Sequence, residues 1–403
     1  MTCQLAIDIG TQKIRAAVGE CEKNGRFIIR GFGSRSSAGA VKQGIVVNIE
    51  SAVEAIRFAV SEANNMAGIK PSGALVGIGG AHLIGHDFSG SIKLNGREIT
   101  SDIRQNLMDQ VEAQAISPER SVLSVIPKKY SLDNLDGIRE PTGMFGDELH
   151  ASVHVITGAT HAVHNLKKCL KLAGLEDNIL IPQPYAVSQL LSDDERELGI
   201  AIVDIGAGTT DLMIVFRGAP VWTSVLPMAG ELLTQDLAIA LKTPLVHAAN
   251  IKCRYGFAHE NFINSNENIS IPKLADRPPE AISSQQLTAY LQPRVEEILE
   301  VIGEKLRHSG YLAQVSTGIV LVGGSSSLRG LSGVAESILQ CPVRILRDSS
   351  SGTLSGLLQD PANAVLAGLF NYGEEQKVLP KKKWPRVRVG VFNQVFEWIQ
   401  KNF

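Results

Sequence analysis

The sequence contains the same short motif twice, and this duplication constrains the fold more than any other feature. An apolar run that ends in Asp-Ile-Gly and a threonine-bearing turn occurs at residues 6–11 and again at residues 202–209. In each copy a second apolar run follows at once, which is typical of two antiparallel strands joined by a tight hairpin. Helical and strand patterns alternate around both copies. The sequence therefore predicts an α/β chain with two related lobes.

The two turns carry residue types that bind phosphate. Glycine lets a phosphate approach the backbone because no side chain intervenes, and successive N–H groups around a turn can enclose an anion. Asp8 and Asp204 end the preceding strands, where a carboxylate can hold hydrated Mg²⁺ beside phosphate oxygens. One such hairpin alone would be weak evidence, but two favour a phosphate site. The residues predicted to form it are Gly10, Thr11, Gln12, Lys13, Gly206, Ala207, Gly208, Thr209 and Thr210.

A third glycine-bearing turn follows a strand pattern late in the chain. The strand at residues 320–322 leads directly into Gly323, Gly324 and Ser325. Paired glycines at this point would let a flat adenine ring lie against the backbone. The alternative interpretation is an ordinary turn between a strand and a helix.

Composition narrows the class of protein. The 39 basic and 41 acidic residues give a net charge of −2, which disfavours a nucleic-acid partner. The five cysteines are scattered without a CxxC pair, so we expect neither a zinc ribbon nor a disulfide framework. We find no secretory signal pattern and no uncharged apolar stretch of about 18 residues. The sequence predicts a cytoplasmic protein whose contact with a membrane is peripheral.

Changes in pattern along the chain predict its domains. Short alternating runs around one helix interrupt the α/β pattern after about residue 81, which indicates a small α+β insertion. We expect a helix at 51–66 capped by Ser51, and irregular surface structure at 259–284, which is rich in Asn, Ser and Pro. The predicted units are a first lobe at 1–81 and 161–198, an inserted subdomain at 82–160, and a second lobe at 199–376 with an outer subdomain at 228–310.

The end of the chain differs in charge from the rest. From Lys377 onward there are seven basic residues and one acidic residue, Glu397. Residues 377–390 predict a basic flexible linker, and residues 391–403 predict an amphipathic helix. Its apolar face would insert into an anionic membrane; the alternative is a helix docked on the protein's own core. The predicted membrane-facing residues are Phe392, Val395, Phe396, Trp398, Ile399 and Phe403.

The phosphate and glycine motifs resemble those of the actin, Hsp70 and sugar-kinase superfamily, and the chain is most similar to the FtsA family of actin-like bacterial division proteins. The resemblance covers essentially the whole chain, and its most specific part lies in the insertion. The resemblance implies a two-lobed actin-like ATPase fold with a small α+β inserted subdomain and a C-terminal amphipathic helix. The insertion residues that carry it are Val125, Ile126, Pro127, Tyr130, Leu132, Asp133, Gly137, Ile138, Pro141, Gly143, Gly146, His154, Ile156 and Thr157.

The same resemblance implies a function. It indicates a scaffold that binds ATP and Mg²⁺, polymerises, tethers the FtsZ ring to the cytoplasmic face of the membrane at the septum, and recruits later division proteins. Arg294 and Glu297 would contact FtsZ, and Gln183 and Asp204 would be catalytic. Gly230 and Lys252 would join the nucleotide site. Two departures from the family pattern, Ala207 and Ala249, lead us to expect weak ATP hydrolysis and reduced nucleotide affinity.

Two other functions fit part of the pattern. A small-molecule kinase of the same superfamily would need a carboxylate base and a substrate pocket, and the sequence has no distinct motif for either. A soluble actin-like adaptor similar to the pilus-assembly protein PilM would not need the amphipathic terminus. The tail therefore distinguishes the adaptor from the membrane tether.

Overall fold

A computed structural model describes residues 2–21, 27–71, 73–264, 267–273, 278–347 and 355–375. The linker predicted at 377–390 and the helix predicted at 391–403 lie outside the described residues. Within the described part, no helix is both long and apolar enough to cross a membrane.

The first lobe begins with an antiparallel meander around the first motif. Its opening elements are β1 (Thr2–Ile9), β2 (Lys13–Cys21), β3 (Phe27–Ser36), β4 (Val41–Lys42), β5 (Ile45–Val46), α1 (Ile49–Ala67) and β6 (Gly73–Ile78). Helix α1 begins earlier than predicted, because the Asn48 side chain accepts the Ser51 amide at 3.0 Å and is the N-cap in place of Ser51. The apolar face of α1 packs on the sheet through Ile56, Ala59 and Ala63.

The insertion is a four-stranded antiparallel sheet covered by one helix. Its elements are β7 (Ile84–Lys93), α2 (Ser101–Ala115), β8 (Arg120–Leu132), β9 (Leu135–Ile138) and β10 (Glu148–Ala159). The strand order is β7-β10-β8-β9. Leu107 and Val111 of α2 are buried against this sheet. Gly90 of β7 allows the close approach, since a Cβ there would lie 2.8 Å from Val111 Cγ2.

The chain then completes the first lobe and forms the second. The remaining first-lobe elements are α3 (Thr160–Leu172), β11 (Asp177–Pro182), α4 (Gln183–Ser188) and α5 (Asp193–Leu198). The second-lobe elements are β12 (Ile200–Ile205), β13 (Thr210–Phe216), β14 (Ala219–Leu226), α6 (Gly230–Leu241), α7 (Leu245–Tyr255), β15 (Asn268–Ile271), β16 (Glu280–Ser283), α8 (Ser284–His308), β17 (Ile319–Val322), α9 (Leu331–Leu339), β18 (Val343–Ile345), α10 (Ser355–Leu358) and α11 (Ala364–Glu375).

The two lobes share one sheet topology. The first sheet has the order β11-β6-β1-β2-β3, and the second has β14-β13-β12-β17-β18. In each, a three-stranded antiparallel meander is extended by two parallel strands beside its first strand. The duplication in the sequence is therefore a duplication of architecture.

One core region joins the lobes. Phe370 and Leu366 of α11 are fully buried in a cluster that includes Ala6 of β1 and Ile202 of β12. Gly19 of β2 makes room for α11, because a Cβ there would lie 2.8 Å from the Phe370 ring. Helix α11 packs on β1, β2 and β6 of the first sheet and on α4, and α4 in turn contacts β12 and β13 of the second sheet.

The expectation of irregular structure at 259–284 is wrong for part of that segment. Strands β15 and β16 pair antiparallel with Ile269 opposite Ile282. Both side chains are buried with Ile271 in the second-lobe core. The alternating isoleucines decide the structure, and the polar residues between them face outward.

Candidate functional site

The two glycine turns face each other across the cleft between the lobes. In the first, the Gly10 amide donates to the Lys13 carbonyl at 3.1 Å; in the second, the Gly206 amide donates to the Thr209 carbonyl at 2.9 Å. A Cβ at Gly208 would lie 2.8 Å from Thr11 Oγ1. Glycine is needed at 208 because the two turns approach so closely.

The turns leave several amides free for a ligand. Within the described residues, the N–H groups of Thr11, Gln12, Ala207 and Gly208 donate no hydrogen bond to another protein group. Backbone N–H groups grouped in this way favour an anion. Ala207 does not have a positive φ, so its methyl group brings no backbone strain.

Three carboxylates form the floor of the cleft. Asp8 and Asp204 are the next-to-last residues of β1 and β12, and Asp211 follows the second turn in β13; all three are buried. Gln183 Nε2 donates to Asp8 Oδ1 at 2.8 Å, and Thr209 Oγ1 donates to Asp211 Oδ2 at 2.9 Å. The floor is therefore strongly acidic.

Burial makes these carboxylates hard to ionise. It raises the pKa of Asp8, although nearby Arg15 and the hydrogen bond from Gln183 oppose that shift. It also raises the pKa of Asp204 well above its usual range, and the negative charges of Asp211 and Asp8 add to the effect. Burial raises the pKa of Asp211 to about 6. A cation in the cleft would relieve this repulsion.

Residues behind the second turn hold it in place. Ser325 Oγ donates to the Gly206 carbonyl at 2.6 Å, and the Gly230 amide donates to the same oxygen at 3.2 Å. Lys252 Nζ donates to the Gly230 carbonyl at 2.6 Å, and burial lowers the pKa of Lys252. Thr210 Oγ1 donates to the Met228 carbonyl at 2.7 Å. These four predicted residues support the turn rather than line the cleft.

The third glycine turn forms another wall. Gly323 has φ +85°, and its amide donates to the Pro361 carbonyl at 3.0 Å. A Cβ at Gly323 would contact Asp204 Oδ1 and the Ile205 carbonyl. Only glycine fits at this position, where β17 passes beside the acidic floor.

The cleft encloses about 660 Å³ including its open mouth. It brings together most of the predicted site. The predicted residues that line it are Asp8, Gly10, Thr11, Gln12, Lys13, Gln183, Asp204, Gly206, Ala207, Gly208, Thr209, Gly323 and Gly324.

Sequence reasoning missed two charged lining residues, Arg15 and Asp211. Each lies in the strand that follows a turn, and the prediction considered only the residues of the turns themselves. The period of two in a strand was an available signal for Arg15. It places Arg15 on the same face of β2 as Lys13, a predicted site residue.

Metal binding by the described residues would be indirect. Among them, no group of three His, Cys, Asp or Glu side chains is arranged to hold a metal ion. Asp8 and Asp204 nevertheless supply the oxygen ligands and negative charge that a hydrated Mg²⁺ prefers. The residues present therefore fit a metal held through water.

A second cavity surrounds the predicted partner-binding residues. It is open to solvent, and Asp236, Ile239, Tyr290, Arg294 and Glu297 are among its lining residues. Arg294 Nε lies 2.6 Å from Asp236 Oδ2, and its Nη1 lies 2.5 Å from Glu297 Oε2. The charged pair of Arg294 and Asp236 is half-buried, while Ile239 is 76% exposed. Charged groups and exposed apolar surface are therefore adjacent in this cavity. We call this cavity the α6–α8 groove.

The predicted membrane-facing residues cannot be placed beside these sites. Phe392, Val395, Phe396, Trp398, Ile399 and Phe403 all lie outside the described residues. The membrane-facing helix therefore stays a prediction.

Two duplicated lobes, two facing phosphate turns and an acidic floor define an actin-like ATPase fold, and proteins of this class generally bind nucleotide with Mg²⁺. Solved structures agree on the fold. The PilM–PilN type IV pilus biogenesis complex matches with a TM-score of 0.65 at 18% identity, covering 92% of this chain and 98% of that one. MreB5 of Spiroplasma citri bound to ADP matches with a TM-score of 0.57 at 15% identity, covering 94% and 97%. These identities support the fold alone.

Sequence comparisons identify the family. The family model "Cell division protein FtsA" matches residues 201–368, and "SHS2 domain inserted in FTSA" matches residues 80–157. Cell division protein FtsA of Pseudomonas aeruginosa is 39% identical, covering 93% of this chain and 89% of that protein. The Neisseria meningitidis protein is 35% identical, with 98% of each covered, and that of Escherichia coli K12 is 32% identical, with 99% and 98% covered. The chain belongs to the FtsA family of cell division proteins.

Proposed function

We propose that this chain is an ATP-binding, actin-like scaffold that polymerises and tethers the FtsZ ring to the cytoplasmic membrane at the division septum. The observation that carries the proposal is the cleft with its two facing phosphate turns, in a chain of the FtsA family. The scaffold would also recruit later division proteins.

The cleft would hold nucleotide through its backbone. The free amides of Thr11, Gln12, Ala207 and Gly208 are the donors for phosphate oxygens, and Gly323 with Gly324 leaves space beside the backbone for the base. Mg²⁺, held by Asp8 and Asp204 through water, would neutralise phosphate charge. Gln183 already donates to Asp8 at 2.8 Å, which positions its amide in the floor. We expect slow hydrolysis, with Gln183 and Asp204 as the catalytic residues.

The α6–α8 groove is the proposed docking site for the FtsZ tail. Arg294 is held by Asp236 and Glu297, whose carboxylates raise the pKa of the guanidinium and fix its position. The neighbouring exposed Ile239 and Tyr290 offer apolar surface. A short peptide with apolar side chains and polar groups that pair with these charges would match this combination.

The predicted C-terminal helix would attach the scaffold to the membrane. Its aromatic and aliphatic face would insert into the acyl boundary, and the basic linker would attract anionic headgroups. A single such helix binds reversibly, so firm attachment would need the avidity of a polymer. The protein would then lie on the cytoplasmic face of the membrane.

Recruitment of FtsZ to vesicles tests the proposal. Vesicles rich in phosphatidylglycerol are floated with FtsZ and either the intact chain, the chain lacking residues 391–403, or Arg294→Ala. The intact chain should carry FtsZ to the vesicles, the deletion should carry neither protein, and Arg294→Ala should bind vesicles without FtsZ. Lys305→Ala replaces an exposed cation on the same helix and should act as the intact chain. Failure of the intact chain to recruit FtsZ would contradict the proposal.

A further inference from the structure

The cleft floor contains a cation beside its three carboxylates. Arg15 lies in β2 directly opposite Asp8 of β1 in the antiparallel pair. Side chains at directly opposite positions project from the same face of the sheet. The hairpin that forms the first phosphate turn therefore also places a cation in the cleft.

In the described part of the chain, the guanidinium of Arg15 makes a single ion pair, with Asp8. Its Nη1 lies 3.5 Å from Asp8 Oδ2, and its side chain is 18% exposed. A guanidinium has five N–H donors in a planar fork. Within the described residues, Asp8 is its only hydrogen-bond or ion-pair partner. Arg15 lines the cleft, so most of its donors are available to a ligand there.

The charge in the cleft makes this cation significant. Three buried carboxylates, Asp8, Asp204 and Asp211, line the same space. Each of them that is ionised would repel a triphosphate entering the cleft, unless positive charge is present. Of the two cationic residues that line the cleft, Lys13 is exposed at the turn, and Arg15 is the more buried. A partly buried cation is screened less by solvent than an exposed one.

We propose that Arg15 is a phosphate-binding residue whose fixed charge takes over part of the neutralisation that Mg²⁺ supplies, so that nucleotide binding to this chain depends only weakly on divalent cation. The proposal rests on the proposed nucleotide-binding function of the cleft. An arginine suits this role because its fork can pair with two phosphate oxygens at once. If Arg15 served only to hold the β1–β2 hairpin together, its loss would lower stability and leave the dependence on Mg²⁺ unchanged.

The test measures affinity for a non-hydrolysable ATP analogue by calorimetry, with excess Mg²⁺ and separately with EDTA. The proteins are the full chain, Arg15→Ala, Arg15→Lys, and Arg35→Ala as an exposed arginine of the same sheet. Loss of a charge-assisted bond should weaken binding in EDTA by about 10-fold or more. With Mg²⁺ the loss of affinity should be smaller. Arg15→Ala should therefore increase the ratio of the dissociation constant in EDTA to that with Mg²⁺. Arg15→Lys should restore much of the ratio, and Arg35→Ala should leave it unchanged.

A full chain whose affinity for the analogue falls steeply in EDTA would overturn the inference, and so would two further results. The first is an Arg15→Ala protein whose ratio equals that of the full chain, whether or not its melting temperature falls. The second is a full chain that binds no analogue in either condition, which would also overturn the proposed function. The two failures are distinguished by the behaviour of the unmodified protein.

Discussion

Replacing Asp211 with asparagine should stabilise the protein at neutral pH. Asp211 is 2% exposed, and its pKa is about 6, because burial and the negative charge of Asp8 outweigh the hydrogen bonds from Thr209 and Gly80. The folded state therefore binds this proton more tightly than the unfolded chain does. The stability that the protonated group contributes is complete below about pH 4 and is lost as the pH rises through about 6.

The size of the effect follows from the shift. A pKa raised from 3.8 to about 6 corresponds to about 3 kcal/mol, at 1.36 kcal/mol for each pKa unit. Asparagine keeps the shape and carries no charge, so it avoids this loss. For a chain of 403 residues, about 3 kcal/mol corresponds to roughly 4 °C in melting temperature.

Thermal denaturation followed by circular dichroism between pH 4 and pH 8 measures the effect. The difference in melting temperature between Asp211→Asn and the unmodified chain should increase in favour of the variant as the pH rises. Most of the increase should occur between pH 4 and 6. Asp109→Asn removes an exposed carboxylate from α2 and should follow the unmodified chain throughout. Parallel curves for Asp211→Asn and the unmodified chain would refute the assignment of a raised pKa to this buried floor.

Three further predictions concern other parts of the chain. Gly323→Ala should lower stability by about 1–3 kcal/mol, because φ is +85° and a Cβ would contact the Asp204 carboxylate; an unchanged melting temperature would refute this. Thr223→Val should cost about 1–3 kcal/mol by leaving Nε2 of buried His154 without its 2.9 Å partner, and hydrogen exchange in β7 and β10 should rise. Unchanged hydrogen exchange in β7 and β10 would show that the contact between His154 and Thr223 does not link the insertion to the second lobe. Trp398→Glu should abolish flotation with anionic vesicles, and retained flotation would contradict the predicted helix.

The architecture could be predicted because its signals are local. Asp-Ile-Gly with a threonine turn between two apolar runs determines a hairpin without reference to the rest of the chain. Its repetition predicted two related sheets, and the structure has them. The glycines at 10, 208 and 323 were predicted as positions where a phosphate or a base approaches the backbone. At 208 and 323 the structure adds close contacts with other parts of the protein, which the sequence did not indicate.

The charge of the cleft could not be predicted because it depends on register and burial. Arg15 lies opposite Asp8 because the turn determines the register in which β1 pairs with β2. The raised pKa values of Asp204 and Asp211 follow from the approach of two lobes, which no local pattern describes. Lys252 donates to the Gly230 carbonyl behind the second turn, a contact that no local pattern describes, and its place at the nucleotide stays a prediction.

Calorimetric titration of the intact chain with ATP and Mg²⁺ tests most directly whether the two glycine turns form a nucleotide site. Gly208→Val places a branched side chain where even a Cβ would lie 2.8 Å from Thr11 Oγ1, between the facing turns. Gly356→Val, at an exposed glycine with open space around it, is the matched control. The account predicts that the intact chain and Gly356→Val bind ATP with similar affinity and that Gly208→Val does not bind. Equal affinity in all three proteins would contradict it.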